Sequence, residues 1–136
     1  MNDLIEVYKN TKYKVFEPDL TIEIGVLNQD VDDLLKEHKL VEWAFITAYN
    51  PYSRVMTEDE NKVRHDELKE LAKDYITLEG HGVGEDPAWE PELSLFIIGI
   101  TRDEASKIGK KFEQNAIVYG VLNNLPELLI TNDKID

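Results

Sequence analysis

The stretch WAFITAYNPYSRVMTEDEN, Trp43 to Asn61, decides the fold. Trp43 to Tyr49 is apolar at alternate and intervening positions alike, the pattern of a strand covered on both faces and so central in a sheet. Pro51 stops it, because proline has no amide to give a ladder. Thr57-Glu58-Asp59-Glu60 then has the spacing of a capping box, with Thr at the cap and Glu three residues on. The spacing predicts a helix from Glu58 to about Asp74. At roughly 100° per residue, Leu68, Leu71, Ala72 and Tyr75 form its buried stripe. Extended toward the N-terminus, that stripe reaches Asn61, Arg64 and His65, while Val63 points away. Polar groups on a core-facing stripe need partners, and the nearest in sequence are Asn50 and Ser53.

Upstream of this stretch, residues 3–9 read as a short helix. Tyr13 and Val15 mark a strand, Pro18-Asp19 a turn, and Leu20, Ile22 and Ile24 a half-buried strand that Gly25 ends. Asn28 is placed to cap a helix from about Gln29 to Glu37, with Val31, Leu34 and Leu35 on one face. Downstream, Tyr75 to Glu79 is a strand. Gly80 to Gly84 is a loop or irregular strand, and Glu85 to Glu92 is an acidic loop. Leu93 to Ile100 is a second central strand. Thr101 to Glu104 repeats the capping-box spacing and opens a helix with Ala105, Ile108 and Phe112 inward. Gly109 beside them would let that helix approach the sheet closely. Ala116 to Leu122, a tight turn, and Glu127 to Ile130 complete the chain, with residues 131–136 a polar tail expected to fray.

From Trp43 the order is strand, helix, strand, strand, helix, strand. That order predicts an α+β fold: a mainly antiparallel sheet with helices on one face, a ferredoxin-like (split βαβ) core and extra N-terminal strands. Right-handed crossovers would place the strands ending before Pro51 and before Thr101 side by side. No linker, repeat or low-complexity run divides residues 1–136, which read as a single domain of a size that can bury a core.

Charge and composition exclude several function classes. The formal net charge is −13, from 15 Lys+Arg against 28 Asp+Glu. Such a chain is unsuited to nucleic acid or an anionic membrane surface, whose binding needs cations. It permits a cationic partner, and it also serves solubility. With no cysteine there is no disulfide, thiolate metal site or cysteine nucleophile. The opening residues lack the basic and apolar regions of a signal peptide, so a cytoplasmic protein is expected.

The segments FITAYNPYS (45–53), GVGEDPAWEPELSLFIIGI (82–100) and GKKFEQNAIVYG (109–120), with Asn61 between them and PELL (126–129) after, resemble the DUF3293 family. The resemblance runs from about Tyr13 to Leu129. It implies a compact bacterial domain of unknown function and assigns no catalytic residue. The family pattern often has serine where this chain has Glu92, and glycine where it has Glu113.

Among the residues themselves, Asn50, Asn61, Arg64 and His65 gather around the strand-to-helix turn. In one reading they form a ligand pocket in which Arg64 holds a carboxylate or phosphate and the Asn amides orient it. In the other they are a buried network that fixes the turn, with Arg64 paired to Glu90 or another acid. Trp89 beside Glu90 offers a carboxyl whose pKa could be raised for acid–base work, or a packing plug. Gln114 and Asn115 either line the same site or cap the preceding helix. Gly80, Gly82 and Gly84 lack the residues of a phosphate loop, no GxSxG elbow is present, and His38, His65 and His81 are scattered. No metal or cofactor is expected.

The leading expectation is a non-enzymatic binding or regulatory domain for a small molecule or a protein, with Asn50, Asn61, Arg64, Trp89 and Gln114 as ligand contacts. The alternatives are a small hydrolase or transferase acting on an anionic metabolite, with Arg64 as anchor and Glu90 or His65 as acid–base group, and an acidic protein-interaction module. The expected assembly is a monomer or weak homodimer.

Overall fold

A computed structural model describes residues 2–135. In chain order they form α1 (Asn2–Lys9), β1 (Lys12–Val15), β2 (Leu20–Ile22), α2 (Gln29–His38), β3 (Glu42–Thr47), α3 (Glu58–Leu71), β4 (Ile76–Val83), β5 (Glu92–Ile98), α4 (Arg102–Lys111), β6 (Ala116–Val121) and β7 (Glu127–Ile130). The strands make one sheet in the order β2-β1-β4-β5-β3-β6-β7, and every neighbouring pair is antiparallel. The two strands expected to be central are adjacent, with Phe45 opposite Phe96 and Thr47 opposite Ser94.

The expectation of helices on one face is corrected. Ala44, Ile46 and Ala48 face a core closed by Leu68 and Ala72 of the α3 segment and by Ala105 and Ile108 of α4. Trp43 and Phe45 face a second core, built from Tyr13 and Val15 of β1, Leu20 and Ile22 of β2, and Val31 and Leu35 of α2. The reason was present in β3 itself: a strand apolar on both faces needs cover on both. The sheet curls around α2. The Gly25 amide donates to the Pro126 carbonyl at 3.0 Å, and the Asn123 amide to the Asp32 carboxylate at 3.0 Å, which ties the two ends of the sheet together.

Both local start signals operate as their chemistry dictates. Asn28 accepts from the Val31 amide, and Thr57 and Glu60 form the reciprocal capping box. Two elements differ from expectation. Helix α3 ends at Leu71, whose side chain is 46% exposed instead of joining the buried stripe, because Asn61, His65, Leu68 and Ala72 define that stripe and, at about 100° per residue, Leu71 falls on its flank. Strand β4 runs on through Gly80, His81 and Gly82. Glycine there serves close approach: a Cβ on Gly80 would lie 2.0 Å from the Lys14 carbonyl oxygen of β1. Gly109 does bring α4 onto the sheet, since a Cβ there would sit 2.9 Å from the Ile117 side chain. The tail begins anchored rather than frayed, with the Thr131 hydroxyl donating to the Gln114 carbonyl at 2.6 Å. Among the described residues no helix is long and apolar enough to cross a membrane.

Candidate functional site

The chain leaves β3 through a tightly wound corner. Asn50, Tyr52 and Ser53 all have positive φ, at 47°, 50° and 65°. Asparagine tolerates that region because its short amide bonds locally. Every polar group of Asn50 is engaged. Its amide N–H donates to Asn61 Oδ1 at 2.9 Å, and its Oδ1 accepts from Asn61 Nδ2 at 2.9 Å and from the Met56 amide at 3.0 Å. Its Nδ2 donates to Glu92 Oε2 at 2.8 Å.

Behind the corner, on the α3 face, Arg64 is committed to partners within the fold. Arg64 Nε donates to the Ala48 carbonyl at 2.6 Å, one terminal nitrogen donates to the Phe112 carbonyl, and the other lies 3.5 Å from Glu113 Oε1. Arg64 thus joins the ends of β3 and α4. Gln114 does the same from the other side, its Nε2 donating to the Tyr49 and Phe112 carbonyls at 3.0 and 3.1 Å. His65 is 1% exposed, and its Nε2 donates to Glu79 Oε1 at 2.9 Å. Its Nδ1 is buried with no partner among the described residues. Burial holds the ring's pKa below the usual histidine value.

In front of the corner, on the Trp43–Phe45 face, lies a cleft of about 410 Å³. Leu4, Val7 and Tyr8 of α1 form one wall and Gly84 to Trp89 another. The floor carries Phe45, Thr47, Ser94 and Val118. Asp86 shapes the loop over it. Its carboxylate accepts the Ala88 amide at 2.9 Å and its carbonyl accepts the Trp89 amide at 3.1 Å. The Trp89 indole, on a residue 41% exposed, then donates to Glu92 Oε2 at 3.3 Å. Burial pushes the Glu92 carboxyl above its ordinary range, against the pull of the Asn50 and Trp89 hydrogen bonds. Tyr8 completes the rim. Its hydroxyl accepts from Asn115 Nδ2 at 3.3 Å, and the same nitrogen donates to Ser53 Oγ at 3.0 Å. Burial raises the Tyr8 pKa, and Glu92 adds to the rise.

The structure therefore divides the residues singled out from the sequence. Asn50, Trp89 and Gln114 line the cleft. Asn61 and Arg64 stand behind it, committed to the corner. Arg64, His65 and Glu90 do not converge: Arg64 is held by carbonyls and Glu113, His65 is sealed against Glu79, and Glu90 is exposed on the loop. Glu92 and Tyr8 were missed as site residues. Glu92 did carry a signal, since counting in twos from Ile98 and Phe96 through Ser94 puts it on the inner face of β5. Tyr8 carried none. Among the described residues no group of three or more His, Asp and Glu side chains is gathered to hold a metal.

Taken together, fold and cleft define a curled antiparallel sheet, helices on both faces, with a half-enclosed pocket at one end. Residues 46–117 match the family described as "Protein of unknown function (DUF3293)". The match spans more than half of the chain, which belongs to that family. It takes in the corner, the loop over the cleft and α4, and leaves out α1 with Tyr8. No curated protein and no solved structure matches the chain.

Proposed function

We propose that the protein is a cytoplasmic small-molecule-binding domain whose site is the cleft between α1, the 84–91 loop and the end of the sheet. One observation carries this reading: a cleft of about 410 Å³ encloses a carboxyl group already oriented by two side-chain donors. That volume falls in the range of roughly 300–1,000 Å³ typical of ligand pockets, which pair apolar walls with a few placed polar groups. The hydrolase or transferase reading has less support, because its anchor and its acid–base candidates point into separate environments. We also read β3 to β6, with the sheet order β4-β5-β3-β6, as a ferredoxin-like core carrying added strands. An experimental structure with α3 and α4 on opposite faces would overturn that assignment.

A thermal-shift screen of metabolites against the wild type and Ala116→Trp tests the binding site. Ala116 lines the cleft, and the larger ring fills it. A ligand at 100 times its Kd should add about 2.7 kcal/mol in the wild type and nothing in a folded Ala116→Trp. Ligands that stabilise both proteins equally would place binding elsewhere.

A further inference from the structure

We propose that the cleft selects a small molecule bearing a primary ammonium group on an apolar body, with Glu92 as its counter-ion. This rests on the cleft being a ligand site at all.

The lining residues argue it by charge. Glu85, Asp86 and Glu92 line the cleft, and no Lys, Arg or His does so among the described residues. An anionic ligand would find carboxylates and no cation. The hydrogen-bonding capacity points the same way. The nitrogen donors at the cleft are committed: Asn50 Nδ2 and Trp89 Nε1 both donate to Glu92 Oε2, and Gln114 Nε2 donates to the Tyr49 and Phe112 carbonyls. Glu92 Oε1 accepts nothing among the described residues. Beside the Tyr8 and Ser53 hydroxyls, the site thus offers a ligand a carboxylate oxygen, and a carboxylate acceptor in a desolvated place gains most from a charged donor.

The walls suit such a ligand. Tyr8, Tyr13, Phe45 and Trp89 contribute aromatic surface, which packs against an apolar body and also attracts a cation through the ring face. An ammonium carries three donors in a compact head, so it can meet Glu92 Oε1 and still be hydrated at the open side. The formal net charge of −13 would draw cations toward the molecule and repel anions.

The test compares three probes with one body: phenethylamine, 2-phenylethanol and 3-phenylpropionate. They are titrated at up to millimolar concentration while the indole Nε1–H resonance of Trp89 is followed by NMR. The wild type and Glu92→Gln, which keeps the side chain's shape, are used together, with a thermal melt of each to verify folding. The expected result is that phenethylamine shifts the Trp89 resonance with a Kd at least about tenfold below that of the alcohol, a difference of about 1.4 kcal/mol. In Glu92→Gln the amine falls to the alcohol's level. If the alcohol or the acid binds as well as the amine, the ammonium proposal is overturned and the cleft stands. An amine preference that survives in Glu92→Gln removes Glu92 as the counter-ion and overturns it too. If none of the probes moves the Trp89 resonance, the cleft reading and the ammonium reading fall together.

Discussion

The α3 side of the β3 corner and the cleft side draw on one residue, Asn50, and end in opposite states. On the α3 side, Asn61 and Arg64 spend their donors on Asn50 and on backbone carbonyls, and His65 Nε2 is paired with Glu79, only its buried Nδ1 staying unpaired among the described residues. On the cleft side, Glu92 receives two donors on a single oxygen, and its other oxygen accepts from no described residue. Similar residue types thus do different work. A buried polar group that completes its bonds rigidifies the fold, whereas one held in place with capacity left over is suited to a ligand. The positive-φ residues Asn50, Tyr52 and Ser53 sit where the two sides meet, and backbone strain of this kind is commonly found at functional sites.

The largest effect expected from this contrast is on stability. Arg64→Ala should lose about 3 kcal/mol, because it removes the guanidinium from the Ala48 carbonyl, leaves the Phe112 carbonyl to Gln114 alone and unlinks Glu113. Urea denaturation would measure it. A loss below about 0.5 kcal/mol, the range of ordinary surface changes, would break the claim that the α3 side is a structural staple.

The next effect is smaller, and its sign separates the two sides by pH. The Glu92 pKa is raised in the fold, so the protonated carboxyl favours the folded state. Its contribution is complete below the ordinary glutamate range and is lost as pH rises through the folded pKa. Glu92→Gln should therefore melt about 2–4 °C above the wild type near neutral pH, with the gain vanishing in acid. The His65 pKa is lowered, so its contribution runs the other way, present above the usual histidine value and lost as pH falls below it. Thermal melts across pH on both proteins would show this. A Glu92→Gln gain that persists unchanged in acid would contradict the burial of Glu92.

The smallest effect is expected at Glu90. It is exposed beside Trp89, and Glu90→Gln should change stability by less than about 0.5 kcal/mol. It should also leave the affinity of any cleft ligand within about twofold, a fraction of a kcal/mol. A larger loss of affinity in a titration would move the site's charge outward from Glu92 to the loop.

Several features of this molecule were legible from residues alone because their causes are local. Thr57 with Glu60, and Asn28 with the Val31 amide, announce helix starts within a few residues. The two-faced apolar run at Trp43 to Tyr49 announces a central strand, and Asn61, Arg64 and His65 announce polar groups in search of partners. What those partners are was not legible. Arg64 reaches Phe112 and Glu113 across the fold, and Asn50 reaches Glu92, 42 residues away. The β3–β5 register that sets Thr47 opposite Ser94 brings Asn50 and Glu92 to the same end of the sheet. The placement of α1 at the rim, where Asn115 donates to the Tyr8 hydroxyl, then brings Tyr8 to the same cleft. Sequence determines hydrogen bonds and burial patterns that close over a turn or two. Pairings between distant segments depend on register and on which face each helix covers, and those were decided only when the whole chain packed together.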